Sequence, residues 1–234
     1  MTKPADLIDY LFDGKSTRLA TELHQWMDDS GRFITFVDTY RDKIRKKIRT
    51  ADDAGRSQDL RAELEVAYRL LGDRRLEVEY EPYASLKARG ADFAVTYRAN
   101  LVFNIEVARM RAEEGYFAEP ARNEERVLRI VLEKLGQMQT NIPNLLVIHV
   151  LEDVAKTIAL EELMQGMKNR ADKRDASFYS HSRYSTPGEF YIDFLRLSGV
   201  LFWEPNAQQW INKQAKVGLD KKVVRLVSSI AMNG

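Results

Sequence analysis

The sequence predicts an α/β protein in which a mixed sheet forms the core and helices flank it, with a helical addition before the core and an α/β addition after it. Apolar residues recur at helical spacing through the first 50 residues, apolar and polar residues alternate between 76 and 109, and a continuous apolar run at 144–150 follows another helical pattern. Hairpin strands followed by a helix and a buried strand are typical of a mixed sheet. We therefore expect a helical extension at 1–57, an α/β core at 58–168 and a C-terminal helix and strand addition at 169–234.

Composition narrows the classes of site that the chain can carry. Of 234 residues, 44% are hydrophobic and 30% are charged, which is near the globular average, and there is no cysteine. Disulfides and thiolate metal sites are excluded, so a metal would need oxygen or imidazole ligands. The N-terminus lacks a signal-peptide pattern and no apolar run reaches membrane-spanning length, so we expect a cytoplasmic protein with no membrane partner.

The first part of the chain is predicted to be helical. Three helices are expected around Leu7–Leu11, Leu19–Met27 and Phe33–Ile48, and the polar segment 51–55 is predicted to be a linker. A fourth helix is predicted from Asp59 to Leu71, with Asp59 as its N-cap and a glycine after its end.

The period of the pattern then changes from helix to strand. Residues 76–81 alternate between apolar residues and glutamates, and further strands are predicted at 91–97 and 101–109, joined as a hairpin by a short polar turn. After them the pattern predicts a helix from 124 to about 139, a buried strand at 144–150, a helix from 152 to about 167, a helix from 187 to 197 and a strand at 200–203.

Two acids on the predicted hairpin are the strongest candidates for chemistry. Side chains alternate across a strand, so Asp92 lies on the face opposite Phe93, and Glu106 lies on the face opposite Ile105. A hairpin centred near Ala99 brings Asp92 across from Glu106 to within one register step. Two neighbouring carboxylates repel unless a cation or a proton intervenes, and Mg²⁺ (or Mn²⁺) favours such oxygen ligands.

These residues resemble the core of the PD-(D/E)xK nuclease superfamily. The resemblance lies in Arg-Leu-Glu-Val-Glu-Tyr (75–80), Gly-Ala-Asp-Phe (90–93) and Asn-Ile-Glu-Val (104–107), and it spans about residues 59 to 150. It implies a restriction-endonuclease-like fold, Asp92 and Glu106 as ligands of Mg²⁺, and Glu63 as an acid from the first core helix. The activity it implies is hydrolysis of nucleic-acid phosphodiester bonds by metal-activated water. The alternative from the residues alone is that Asp92 orders a turn and Glu106 pairs with an arginine.

The chain departs from the family pattern at one position of consequence. Two residues after the second acid the family normally has lysine, and this chain has Ala108. Arg109 is a candidate replacement for the missing cation, although alternation directs it to the opposite face unless a bulge turns it. Lys87, before the second strand, and Lys134, on the following helix, are further candidates.

A basic segment on the third predicted helix could contact nucleic acid. Its cations include Arg45, Lys46, Lys47 and Arg49. They are numerous enough to bind phosphates, but such a run can also be a solvated helix face that binds nothing.

Three hypotheses follow: a Mg²⁺-dependent nuclease, a catalytically degenerate nuclease-fold protein that binds nucleic acid or a protein, and a structural protein whose acids only form ion pairs. The sequence leaves a homodimer open.

Overall fold

The computed structural model describes residues 2–51, 53–84, 90–111, 120–175, 183–203 and 207–232. These ranges form a mixed α/β structure around one six-stranded sheet with strand order β1-β2-β3-β4-β5-β6. The central pairs β3–β4 and β4–β5 are parallel, and the pairs β1–β2, β2–β3 and β5–β6 are antiparallel. The strands are β1 (Leu76–Tyr80), β2 (Phe93–Tyr97), β3 (Leu101–Arg109), β4 (Asn144–His149), β5 (Leu197–Phe202) and β6 (Gln209–Ile211).

Helices lie on both sides of this sheet. Within the described ranges they are α1 (Pro4–Phe12), α2 (Arg18–Asp29), α3 (Gly31–Thr50), α4 (Ala54–Gly72), α5 (Pro120–Leu135), α6 (Glu152–Ala155), α7 (Leu160–Asp172), α8 (Pro187–Phe194) and α9 (Lys221–Met232). None of these helices combines the length and the apolar composition needed to cross a membrane.

The three predicted N-terminal helices are present, and their starts follow from local chemistry. Pro4 occupies the first position of α1, where its missing N–H costs nothing. The side chains of Thr17 and Ser30 accept hydrogen bonds from backbone N–H groups at the starts of α2 and α3. The segment predicted as a linker is shorter than expected, because α4 already begins at Ala54.

The predicted N-cap of the fourth helix was wrong. Asp53 caps α4 by accepting a hydrogen bond from the backbone N–H of Arg56, at 2.6 Å, and Asp59 lies inside the helix. Asp53 starts the helix seven residues before Leu60, the first clear apolar position, because the first turn is largely exposed and shows no apolar period.

The downstream elements differ from the prediction mainly in their bounds. The helix α5 begins at Pro120 rather than 124, and the predicted single helix after residue 152 is two helices, α6 and α7. The strand β5 begins at Leu197, within the segment predicted as helix. Neither β6 nor α9 was predicted. Since β6 has three residues, it carries too little of the alternating pattern to be recognised.

The sheet separates two hydrophobic clusters. One cluster joins α1–α4 and α9 to one face, where Phe103, Ile105 and Val107 of β3 are buried. The other joins α5, α7 and α8 to the opposite face, where Ala108 of β3 and Leu146 of β4 are buried. The odd and even residues of β3 therefore face different layers of helices, as strand alternation requires.

Asn144 connects the ends of several elements at the start of β4. Its side chain is 1% exposed, and its Nδ2 lies 2.9–3.0 Å from the carbonyl oxygens of Gln139, Ile142 and Arg196. Its Oδ1 accepts hydrogen bonds from the Asn104 side chain, at 3.1 Å, and from the Gln139 backbone, at 3.2 Å. The Asn144 side chain thus hydrogen-bonds to backbone groups in the loop before β4 and in the loop before β5.

We expect Asn144→Leu to lower the free energy of unfolding by about 3 kcal/mol, because leucine leaves several buried donors and acceptors unpaired. Urea denaturation monitored by circular dichroism measures the change. Asn141→Gly is the matched control: Asn141 is exposed with φ 65°, a conformation that glycine adopts without strain, so its midpoint should stay or rise slightly. An Asn144→Leu midpoint equal to wild type would contradict this account.

Candidate active site

The hairpin brings the two predicted acids together. Phe93 pairs with Ile105, and the same register places Asp92 opposite Glu106, as predicted. Asp92 Oδ2 accepts a hydrogen bond from the backbone N–H of Val107 at 2.8 Å, which fixes this carboxylate beside β3. Glu106 is 2% exposed, so its carboxylate is removed from solvent.

Glu63 reaches the same place from α4. Its Oε2 accepts hydrogen bonds from the Tyr80 hydroxyl at 2.7 Å and from Lys47 Nζ at 2.6 Å. The charge of Asp92 contributes to raising the pKa of Glu63, so the two acids interact electrostatically. We call Glu63, Asp92 and Glu106 the carboxylate cluster.

Two lysines from different helices face the cluster. Lys134 Nζ of α5 donates to Glu106 Oε1 at 2.7 Å. Lys47 Nζ of α3 lies 2.6 Å from Glu63 and 3.0 Å from Glu81 Oε1, and it stands 4.9 Å from the centre of the Tyr80 ring. Each lysine is about one quarter exposed, so both ammonium groups are largely withdrawn from water.

Burial and mutual repulsion raise the pKa values of all three acids in the cluster. Burial, followed by the charge of Glu106, raises the pKa of Asp92 to about 7. Burial, followed by the charge of Asp92, raises the pKa of Glu63 to about 7, although Lys47 partly opposes the shift. Burial also raises the pKa of Glu106, against the lowering effect of Lys134. Burial disfavours both ammonium ions, yet the neighbouring acids raise the pKa of Lys47 and of Lys134.

The structure pairs Arg109 with α4 rather than with the hairpin acids. Its Nε donates to Asp59 Oδ1 at 3.1 Å, and a second guanidinium nitrogen lies 3.2 Å from the carbonyl oxygen of Gly55. Arg109 and Val107 lie on the same face of β3, and α4 covers that face. Arg109 is thus at the rim of the site, and the hydrogen bond to Glu106 comes from Lys134. Lys87 lies outside the described residues.

The cations of the predicted basic segment are largely engaged within the protein. Arg45 and Arg49 both pair with Asp13, and Arg49 does so at 3.1 Å. The Arg45 guanidinium also stands 4.2 Å from the centre of the Tyr10 ring. Lys47 turns inward to the carboxylate cluster, and Lys46 is exposed.

Sequence reasoning missed the parts played by Lys47 and Tyr80. Lys47 adjoins Ile48 and lies three residues after Ile44, so it borders the buried stripe of α3, which was the available signal. The alternating pattern predicts only that Tyr80 is an apolar residue of a strand. Its hydroxyl bonds to Glu63 because β1 ends beside α4, a tertiary relation that no local pattern encodes.

The donor chemistry of the cluster suits a hard divalent cation. Glu106 Oε2 is buried and accepts no hydrogen bond from any residue that the structure describes, so one carboxylate oxygen remains available. Across the parts of the chain that the structure describes, no three His, Asp or Glu side chains converge into a ready-made set of metal ligands. Mg²⁺ is usually bound by one or two carboxylates and several waters, which Asp92 and Glu106 match.

Comparison with known proteins gives no relative: no family model, curated protein or solved structure matches this chain.

The raised pKa of Asp92 predicts how stability depends on pH. A carboxyl whose folded pKa lies above its unfolded value stabilises the fold below the unfolded pKa, and that contribution is lost as pH rises through the folded pKa. From about pH 5 to about pH 7 this one group should lower the free energy of unfolding by roughly 2 kcal/mol. Asp92→Asn should remove that part of the decline, which urea denaturation at both pH values measures.

Asp73→Asn is the control for this measurement. The pKa of Asp73 is lowered, chiefly by its hydrogen bond from Arg75, so Asp73 contributes stability above its unfolded pKa that is lost as pH falls. Its removal should therefore leave the decline between about pH 5 and about pH 7 in place. An Asp92→Asn protein with the same decline as wild type would show that Asp92 titrates normally.

Proposed function

We propose that the protein is a Mg²⁺- or Mn²⁺-dependent nuclease that hydrolyses nucleic-acid phosphodiester bonds, built as a divergent PD-(D/E)xK enzyme with a restriction-endonuclease-like core. The observation that carries the proposal is the contact between buried Glu106 and Lys134, made beside Asp92 on a two-acid hairpin. A second strand acid, a lysine and an acid from the preceding helix are the groups that the family resemblance calls for.

Lys134 supports the proposal because it supplies the cation that the sequence pattern lacks. Ala108 lies two residues after Glu106 and therefore on the same side of β3, facing the layer that contains α5. Ala108 and Lys134 line the same cavity, so a lysine at position 108 would project into the cavity that Lys134 also lines. The small side chain of Ala108 leaves room for the cation to come from α5 instead.

Asp92 and Glu106 would hold the metal ion, with Asp92 Oδ1 and the unpartnered Glu106 Oε2 as the available oxygens. Bound there, Mg²⁺ would act as a Lewis acid that activates water and offsets phosphate charge. The hydrogen bonds from Val107 to Asp92 and from Lys134 to Glu106 orient the remaining oxygens.

The other groups of the site have chemistry that fits phosphodiester hydrolysis. The Lys134 ammonium can offset negative charge that develops on the phosphate during attack. With a pKa of about 7, Glu63 can accept a proton from a water molecule at neutral pH, and the bonds from Tyr80 and Lys47 hold its carboxylate in position.

One observation favours a second candidate, a nuclease-fold protein that binds without cutting. Lys47 and Lys134 already pair with Glu63 and Glu106, so two of the three acids in the cluster are compensated by the chain's own ammonium groups. Such pairs also occur in purely structural networks. The two candidates differ in metal binding and turnover.

The first test is calorimetric titration of Mg²⁺ and Mn²⁺ into the protein, with a cleavage assay on single- and double-stranded DNA and RNA. We expect wild type to bind metal and cut, and the double variant Asp92→Asn/Glu106→Gln to do neither. Glu77→Gln/Glu79→Gln is the matched control, because these exposed acids of β1 lie outside the cluster and should leave both properties intact. Wild type that binds no metal and cuts no substrate would reject the nuclease proposal.

The second test addresses Lys134. Lys134→Met should lower kcat by about 10²- to 10³-fold, the usual effect of removing a group that stabilises transition-state charge. Lys134→Arg should recover part of the activity, because arginine keeps the charge with different geometry. Circular dichroism melting shows whether each variant folds. A folded Lys134→Met protein with wild-type kcat would exclude Lys134 from the reaction.

A further inference from the structure

A cavity of about 560 Å³ lies beside the carboxylate cluster, between α4, the end of β3 and α5. Two residues of the candidate active site, Glu63 and Lys134, line this cavity. A space of this size is typical of a ligand pocket.

Positive charge dominates the wall of this cavity. Five cationic side chains and three acidic ones stand among its described lining residues. Arg109 and Arg111 share the single carboxylate of Asp59, at 3.1 and 2.5 Å, which leaves this part of the wall with an excess positive charge. Arg111 is 58% exposed and can therefore reach a ligand.

The helix α5 continues the charged wall away from the cluster. Arg126, Arg129 and Lys134 of α5 all line the cavity. Arg129 is exposed, and it makes no hydrogen bond or ion pair with any residue that the structure describes. Its backbone is about 7.5 Å along the helix axis from that of Lys134, five residues at 1.5 Å each.

This arrangement offers two phosphate positions rather than one. The first is at Lys134 and Glu106, where the proposed reaction would occur. The second lies farther along the cavity, where Arg111 and Arg129 present guanidinium groups, which bind phosphate oxygens in a planar, two-pronged geometry.

We propose that this cavity is a backbone-phosphate subsite, in which Arg129 and Arg111 bind the phosphate next to the one at Lys134, so that the substrate is a strand with successive phosphates. The proposal rests on the proposed nuclease function for the identity of the neighbouring phosphate. The proposal places the contact with the nucleic-acid backbone on α5. The sequence had suggested the basic segment of α3, but Arg45 and Arg49 of that segment are paired with Asp13.

Binding is measured by fluorescence anisotropy with labelled single-stranded DNA and RNA oligonucleotides in EDTA, so that no cleavage occurs, over a series of salt concentrations. Arg129→Gln and Arg111→Gln should each weaken binding about 10-fold and reduce the slope of log affinity against log salt by about 1. Arg225→Gln is the control, because Arg225 is an exposed arginine of α9 that does not line the cavity.

The subsite is rejected if wild type binds no strand, or if Arg129→Gln and Arg111→Gln match Arg225→Gln in affinity and salt slope. The cleavage assay with metal, run in parallel, separates this result from the fate of the nuclease proposal. A protein that binds strands through Arg129 without cutting them retains the subsite and loses the nuclease function. A protein that cuts strands while both arginine variants bind normally retains the function and loses the subsite.

Discussion

The packing of three carboxylates into one site, with Glu106 buried and Glu63 and Asp92 half-buried, is the constraint on which the rest of this structure depends. Charges of one sign withdrawn from water are costly unless opposite charges accompany them. Lys47 and Lys134 provide those charges, and they come from helices on opposite sides of the sheet. The cluster therefore ties α3 and α5 to the hairpin, and loss of either lysine would leave a buried acid uncompensated.

Two further cations of α3 bind backbone carbonyl oxygens of neighbouring elements. Arg32 donates to the carbonyl oxygens of Leu71 and Asp73 at 2.7 and 2.8 Å, and Lys43 donates to that of Tyr80 at 3.1 Å. With Lys47, these side chains join α3 to α4 and to β1. Lys43 thereby occupies a backbone acceptor of β1, the edge strand of the sheet.

The alternation of side chains along β3 assigns the charged groups to their partners. Glu106 and Ala108 face the α5 layer, while Val107 and Arg109 face α4. Arg109 thus pairs with Asp59 although it adjoins the position where the family has lysine. The same parity allows Lys134 to meet Glu106, and it sets Arg109 and Arg111 on the rim of the cavity.

The sequence by itself determined most of the secondary-structure elements and the pairing of the two acids on the hairpin. Periodicity gave α1–α3, β1–β4 and the crossover helix, and strand alternation predicted that Asp92 would lie opposite Glu106, because these features depend on residues close along the chain. The tertiary structure decided which cations meet those acids. Lys47 and Lys134 are 16 and 28 residues from their partners Glu63 and Glu106, and their contacts depend on how helices pack on the sheet. The short strand β6 was also decided there, because three residues carry too little local pattern to specify a strand.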